Sequence, residues 1–150
     1  MQKISVTAVL GLTGLVCMLA GCESVPKVSS LATPITIFKH HHGNDSGLPA
    51  HSVELINTQD ELEKIGSVEL IGKDVDFNQV SLVVLSLGES PTDGYETCIS
   101  SVQTGSGDLY VQGIAAHPGP DENIAEVLTY PYCAVEIEKV YSDTVHPEID

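Results

Sequence analysis

The apolar and polar positions of the chain fall into short segments, most with a period of two. Val80 to Leu87 holds six apolar residues in eight. That run is too short for a typical helix, and it is rich in the valine and leucine of a buried strand. Cys133 to Val140 alternates, with Val135 and Ile137 on one side and Glu136 and Glu138 on the other. Such alternation marks a strand with one buried and one solvated face. Ile35–Lys39, Ser52–Ile56, Tyr95–Val102 and Leu109–Ala115 read as further strands. Thr58-Gln59-Asp60-Glu61 forms a capping box ahead of Leu62 and Ile65, predicting one short helix that ends near Gly66. The pattern predicts a mainly β fold: a small antiparallel β-sandwich or partly open barrel of six to seven strands with one short helix.

The polar stretches between these segments carry the turn chemistry. After the Val80 strand comes Gly88-Glu89-Ser90-Pro91-Thr92-Asp93-Gly94. Proline presets one backbone angle there and glycine permits a positive one, so the chain is expected to turn over and return as a partner strand. This presents Ser90 to Tyr95 as a shaped loop. His40 to Gly47 reads as a flexible polar loop, and Gly105-Ser106-Gly107-Asp108 as a tight turn. Val68 to Phe77 reads as a polar connection with Val75 and Phe77 tucked under the sheet. His117 to Asn123, with two prolines and a glycine, is neither helix nor central strand.

Composition changes the picture first at the N-terminus. Met1 to Gly21 carries one basic residue, Lys3, followed by an uncharged apolar run from Ile4 to Leu19. Leu19-Ala20-Gly21-Cys22 is similar to a bacterial lipobox, in which the cysteine is acylated, with palmitate among its chains, when the signal peptide is removed. The expected organisation is a lipoprotein signal peptide over 1–21 and a lipidated tether over 22–34. A β-domain over 35–142 and a flexible polar tail over 143–150 follow. The lipid on Cys22 would hold the chain to a membrane of the cell envelope, facing the periplasm. Glu23, where an aspartate would favour the inner membrane, points to the outer one.

The formal net charge is −15, and loss of Lys3 with the signal takes it to −16. There is no arginine and no tryptophan. A surface this acidic repels nucleic acid and anionic lipid, which removes both from the set of partners. Of four cysteines, Cys17 leaves with the signal and Cys22 is lipidated. The remaining pair, Cys98 and Cys133, is expected to form a disulfide in an oxidising compartment.

Four histidines, His40, His41, His42 and His51, raise a metal hypothesis. On a strand end only His40 and His42 share a side, and no carboxylate or cysteine completes a set at fixed spacing. His40, His42 and His51 therefore stand as weak candidates, with no physiological metal or other cofactor expected. Catalysis would need a nucleophile with a base, a carboxylate pair or a metal. The sequence holds no Gly-x-Ser-x-Gly elbow and no His-Glu-x-x-His, and no enzyme is expected.

The C-terminal half carries a resemblance. Val75-Asp76-Phe77, the apolar strand, Gly88-x-x-Pro91-Thr92-Asp93-Gly94-Tyr95, and Leu128-Thr129-Tyr130-Pro131-Tyr132 before the closing strand resemble the domain of the protease complex subunit PrcB. Asp93 stands where that family has a glycine. The likeness covers Val75 to Lys139 and, more loosely, Ile35 to Gly66. It implies a non-enzymatic lipoprotein that binds and stabilises an extracytoplasmic protease. The expected contact surfaces are the loop Ser90–Tyr95 (Pro91, Thr92, Asp93, Gly94, Tyr95) and Ala116–Asn123, with Tyr95 and Tyr132 as aromatic anchors. Ser90-Pro91-Thr92-Asp93-Gly94-Tyr95 is also similar to the Asn-Pro-Thr-Thr-Gly-Tyr loop of chagasin-type cysteine protease inhibitors, which implies inhibition as an alternative. A periplasmic metal-binding lipoprotein is the third reading.

Overall fold

The apolar run becomes β4 (Val80–Ser86), and six of its seven residues are buried. Alternate side chains leave a strand on opposite faces, so such a strand needs cover on both. Val83 and Leu85 face a second sheet, in a cluster with Ile99, Val102, Leu109, Val111, Val135 and Ile137. Leu82 and Val84 face the other way, in a cluster with Ile56, Leu62, Tyr132 and Ala134. The cover on that outer face is α1 (Gln59–Lys64), anchored by the fully buried Leu62. Its predicted capping box forms: the Glu61 N–H donates to Thr58 Oγ1 at 3.2 Å, and the Thr58 N–H donates to Glu61 Oε2 at 3.2 Å.

A computed structural model describes residues 32–65, 74–120 and 124–150 of this chain. The expected signal peptide, Cys22 and the tether up to residue 31 lie outside the described residues, as do Gly66 at the expected helix end, 68–73 of the expected connection and 121–123 of the expected contact segment. Among the described residues no helix is long and apolar enough to cross a membrane.

Eight strands form two four-stranded sheets, a β-sandwich rather than a barrel. One sheet runs β2 (Ile37–Gly43), β7 (Tyr132–Glu138), β4, β3 (Ser52–Ile56), antiparallel throughout. The other runs β1 (Thr33–Ile35), β5 (Glu96–Gly105), β6 (Asp108–Ala116), β8 (Val145–Ile149). Its β6–β8 pair is parallel. β5 and β6 are joined by Ser106 and Gly107, both at positive φ (58° and 90°), as a two-residue hairpin loop requires.

Four expectations are corrected. The strand after the Ser90–Tyr95 loop does not return beside β4: both edges of β4 are taken by β3 and β7, and β5 joins the opposite sheet. The loop is a crossing between sheets, not a hairpin. His40 to His42 belong to β2, paired with β7, rather than to a flexible loop. Thr33 and Pro34, expected in the tether, belong to β1, which pairs with β5. The tail expected over 143–150 contains β8, and that strand raises the count from six or seven to eight. Leu109 N–H donates to Thr144 O, and Asp150 N–H to Gly113 O, so even-numbered positions of β8 turn towards β6. Alternation leaves Pro147 on the outward set, where a missing N–H costs nothing.

Asp76 fixes the approach to β4. Its Oδ1 accepts from the Asn78 N–H and from Asn78 Nδ2, both at 3.0 Å, and its Oδ2 accepts from Gln79 Nε2 at 2.9 Å. The Asn78 backbone bond, then its side chain, hold the Asp76 carboxyl below its ordinary value of 3.8. A carboxylate with a depressed folded value adds stability that is present above the unfolded value and lost as pH falls through the folded one. Asp76→Ala is therefore expected to lower the melting temperature slightly at neutral pH, the difference fading as the pH falls below 3.8 and the folded carboxyl takes up its proton. Thermal melts of both proteins across that range check it.

Candidate protein-docking site

Residues 90–95 cross from one sheet to the other over the segment 124–131, and the two are bonded along their length. Ser90 and Thr129 exchange both backbone hydrogen bonds, at 2.8 and 2.9 Å. Thr129 Oγ1 donates to the Thr92 carbonyl at 2.9 Å. The Asp93 N–H donates to Ala125 O at 3.2 Å, and Asp93 Oδ1 accepts the Ala125 N–H at 2.6 Å. The Asp93 side chain thus acts as a clasp. Gly94 sits at φ 93°, and a β-carbon there would stand 3.1 Å from Pro118 and from Ile124. Pro91 is exposed at the tip, and Thr92, Asp93 and Tyr95 are half-buried. The Thr92 hydroxyl is buried without a partner among the described residues. The Tyr95 ring meets His117 edge-on, with centroids 5.3 Å apart.

The bracing segment carries apolar side chains into solvent: Val127 and Leu128 are 55% and 53% exposed, and Ile124 is exposed beside Gly94. Beside the loop lies a cleft of about 590 Å³ between the sheets. It is lined by His42, Gly43 and Asn44 of the β2 end, Glu96, Thr97 and Cys98 of β5, Ile114 and Ala116 of β6, and Pro131 and Tyr132. Its origin is the shortness of β1, which pairs with β5 only at Val102 to Thr104 and leaves Glu96 to Ser101 uncovered on that edge.

Three expected site residues change role. Tyr132 is 3% exposed and packs over Gly43, where a β-carbon would meet its ring at 2.5 Å. It is a core residue that also borders the cleft, so of the two expected anchors Tyr95 alone reaches the surface. Cys98 and Cys133 are free thiols on facing sheets, not a disulfide. Both sulfurs are engaged by one residue: Cys133 Sγ accepts the Ile99 N–H at 3.2 Å, and Cys98 Sγ donates to the Ile99 carbonyl at 3.6 Å. Burial pushes the Cys133 thiol up to about 11; the Ile99 N–H opposes this, and the neighbouring Cys98 adds to it.

The segment from β4 through this loop, β5, β6 and the bracing strap to the end of β7 is also the segment that comparison with known families selects. Residues 81–138 match the PrcB C-terminal family model. No curated protein and no solved structure matches the chain. The PrcB C-terminal match begins inside β4 and ends with β7, so it contains the loop, the clasp and most of the cleft wall. The exposed Ile124, Val127 and Leu128, missed in the sequence reading, lie within it. Their one signal was three apolar residues in a segment with no strand alternation.

Proposed function

We propose that this chain is a non-catalytic accessory subunit of an extracytoplasmic protease, held to the envelope by a lipid on Cys22. It docks through the Ser90–Tyr95 loop and the 124–131 segment. The PrcB C-terminal match supports association with a protease complex. The observation that carries the docking face is the exposure of Val127 and Leu128 on a segment clasped to the loop. Exposed apolar side chains favour contact with a partner. A loop already held by hydrogen bonds loses little further freedom on binding. Tyr95 supplies the aromatic anchor, and the net charge of −15 suits a basic partner face.

The test is affinity capture from detergent-solubilised envelope with the full chain and a Val127→Asp/Leu128→Asp variant. The parent is expected to recover a protease whose thermal inactivation slows in its presence. The variant is expected to bind that protease at least about tenfold more weakly, as removal of central apolar contacts does. Equal binding by the variant, or a partner with no protease activity, would defeat the reading. The exposed Pro91 at the loop tip supports a second reading, insertion into a papain-like cleft. That reading requires stoichiometric loss of papain activity, relieved by Tyr95→Ala; the accessory-subunit reading requires none.

A further inference from the structure

The β2–β7 ladder brings together residues that lie about ninety positions apart. His42 stands opposite Cys133, and His40 opposite Val135, two places along the same face. His41, between them, takes the other face and pairs with Glu136 Oε1 at 2.8 Å. The His40 and His42 rings stack with centroids 5.9 Å apart. One nitrogen of each ring and the Cys133 sulfur all lie within 4.8 Å of one another. His51, the third histidine of the sequence reading, has no place in this group, and Cys133 takes its position.

We propose that His40, His42 and Cys133 form a binding site for one thiophilic transition-metal cation, Cu(I) or Zn(II). The donor set selects the class: one thiolate with two imidazoles suits these ions, whereas Mg(II) and Ca(II) require oxygen ligands. The separations permit it. Metal bonds of about 2.0–2.1 Å to nitrogen and 2.3 Å to sulfur place neighbouring donors of a trigonal or tetrahedral ion about 3.3–3.8 Å apart. Both histidines are exposed and can close the remaining ångström or so by side-chain rotation, leaving the ladder intact.

The sulfur has an outer contact as well. The backbone N–H of Ile99 already donates to Cys133 Sγ, the kind of outer contact that orients a ligand and stabilises its charge. The ion would reach the buried sulfur from the cleft, whose wall includes His42, and Cys98 on that wall offers a second sulfur for an open coordination position. The site stands apart from the protease reading, since none of its three ligands belongs to the loop or to the 124–131 segment.

The experiment titrates the full chain, reduced and in detergent, with Co(II) as the probe, followed by displacement with Zn(II) and, separately, with Cu(I). A sulfur-to-cobalt charge-transfer absorption saturating at one ion per chain is the expected result. The tighter of the two displacing ions then shows which of them the three donors prefer. His40→Ala and His42→Ala, both at exposed positions, are each expected to weaken binding at least about tenfold. Cys133→Ser is expected to abolish the absorption, and His41→Ala and His51→Ala to leave it unchanged. Cobalt bound without the sulfur absorption would mean capture by exposed imidazoles alone and would overturn the proposal. Full binding by the His40→Ala/His42→Ala double variant, or a Cys98–Cys133 disulfide in the protein isolated without reductant, would do the same.

Discussion

Leu85→Ala is expected to remove about 2–5 kcal/mol of stability, the range for truncating a fully buried leucine where the cavity cannot collapse. Leu85 has no exposed surface and points from β4 into the space between the sheets. Its strand is fixed on both sides, with Val53 opposite it on β3 and Cys133 opposite it on β7. Across the sandwich it fills the space above Gly113, whose missing β-carbon would stand 2.8 Å from Leu85 Cδ2. The backbone that would have to move inward is thus held by ladders in both sheets. A loss of this size is a large share of the 5–15 kcal/mol typical of a domain. Urea unfolding should show a lower midpoint with an unchanged slope. Leu85→Met should cost less than about 1.5 kcal/mol, because it keeps the volume. Equal losses in the two variants would refute the packing account.

Gly88→Ala is expected to cost about 2–4 kcal/mol, combining an unfavourable backbone angle with a collision. Gly88 has φ 79°, and a β-carbon there would lie 2.9 Å from both the Ala50 carbonyl carbon and the His51 nitrogen. Those atoms are main chain and cannot swing aside as a side chain would. Gly88 also begins the crossing: its N–H donates to Ser86 Oγ at 3.1 Å, and two residues later Ser90 pairs with Thr129. Displacing it pulls on the clasped loop, so binding to a partner should weaken along with stability. Gly107→Ala is the control. Its φ is 90°, but nothing lies within 4 Å of its β-carbon position, so only the angular cost of about 1–2 kcal/mol applies. Calorimetric melts that place the two variants together would remove the collision from the account.

Local chemistry was legible in the sequence wherever it decided the outcome alone. Ser52–Ile56 is a strand at its expected bounds, the Thr58–Glu61 box caps α1, and the alternation of β7 points Val135 and Ile137 inward. What escaped depends on residues far apart. The turn residues after β4 announce a reversal but carry no information on which sheet receives the next strand; that follows from β3 and β7 having occupied both edges. His40 to His42 look like loop because an edge strand needs no apolar face where it overhangs the opposite sheet. Pro147 argues against a strand unless the strand is an outer one bonded on one side only. The site was half visible. The loop and Tyr95 stand out by turn chemistry, whereas Tyr132 gives no local sign of being buried. The meeting of His42 with Cys133 exists only through strand register.

The first and last described strands, β1 and β8, form the two outer edges of one sheet. A polypeptide delivered from its amino end offers β1 long before β5 exists to receive it, and β6 keeps a bare edge until Val145 to Ile149 arrive. That edge of the sheet can therefore close only after every other described strand has emerged. Until then β6 presents a row of unpaired backbone groups, a template on which another strand can pair.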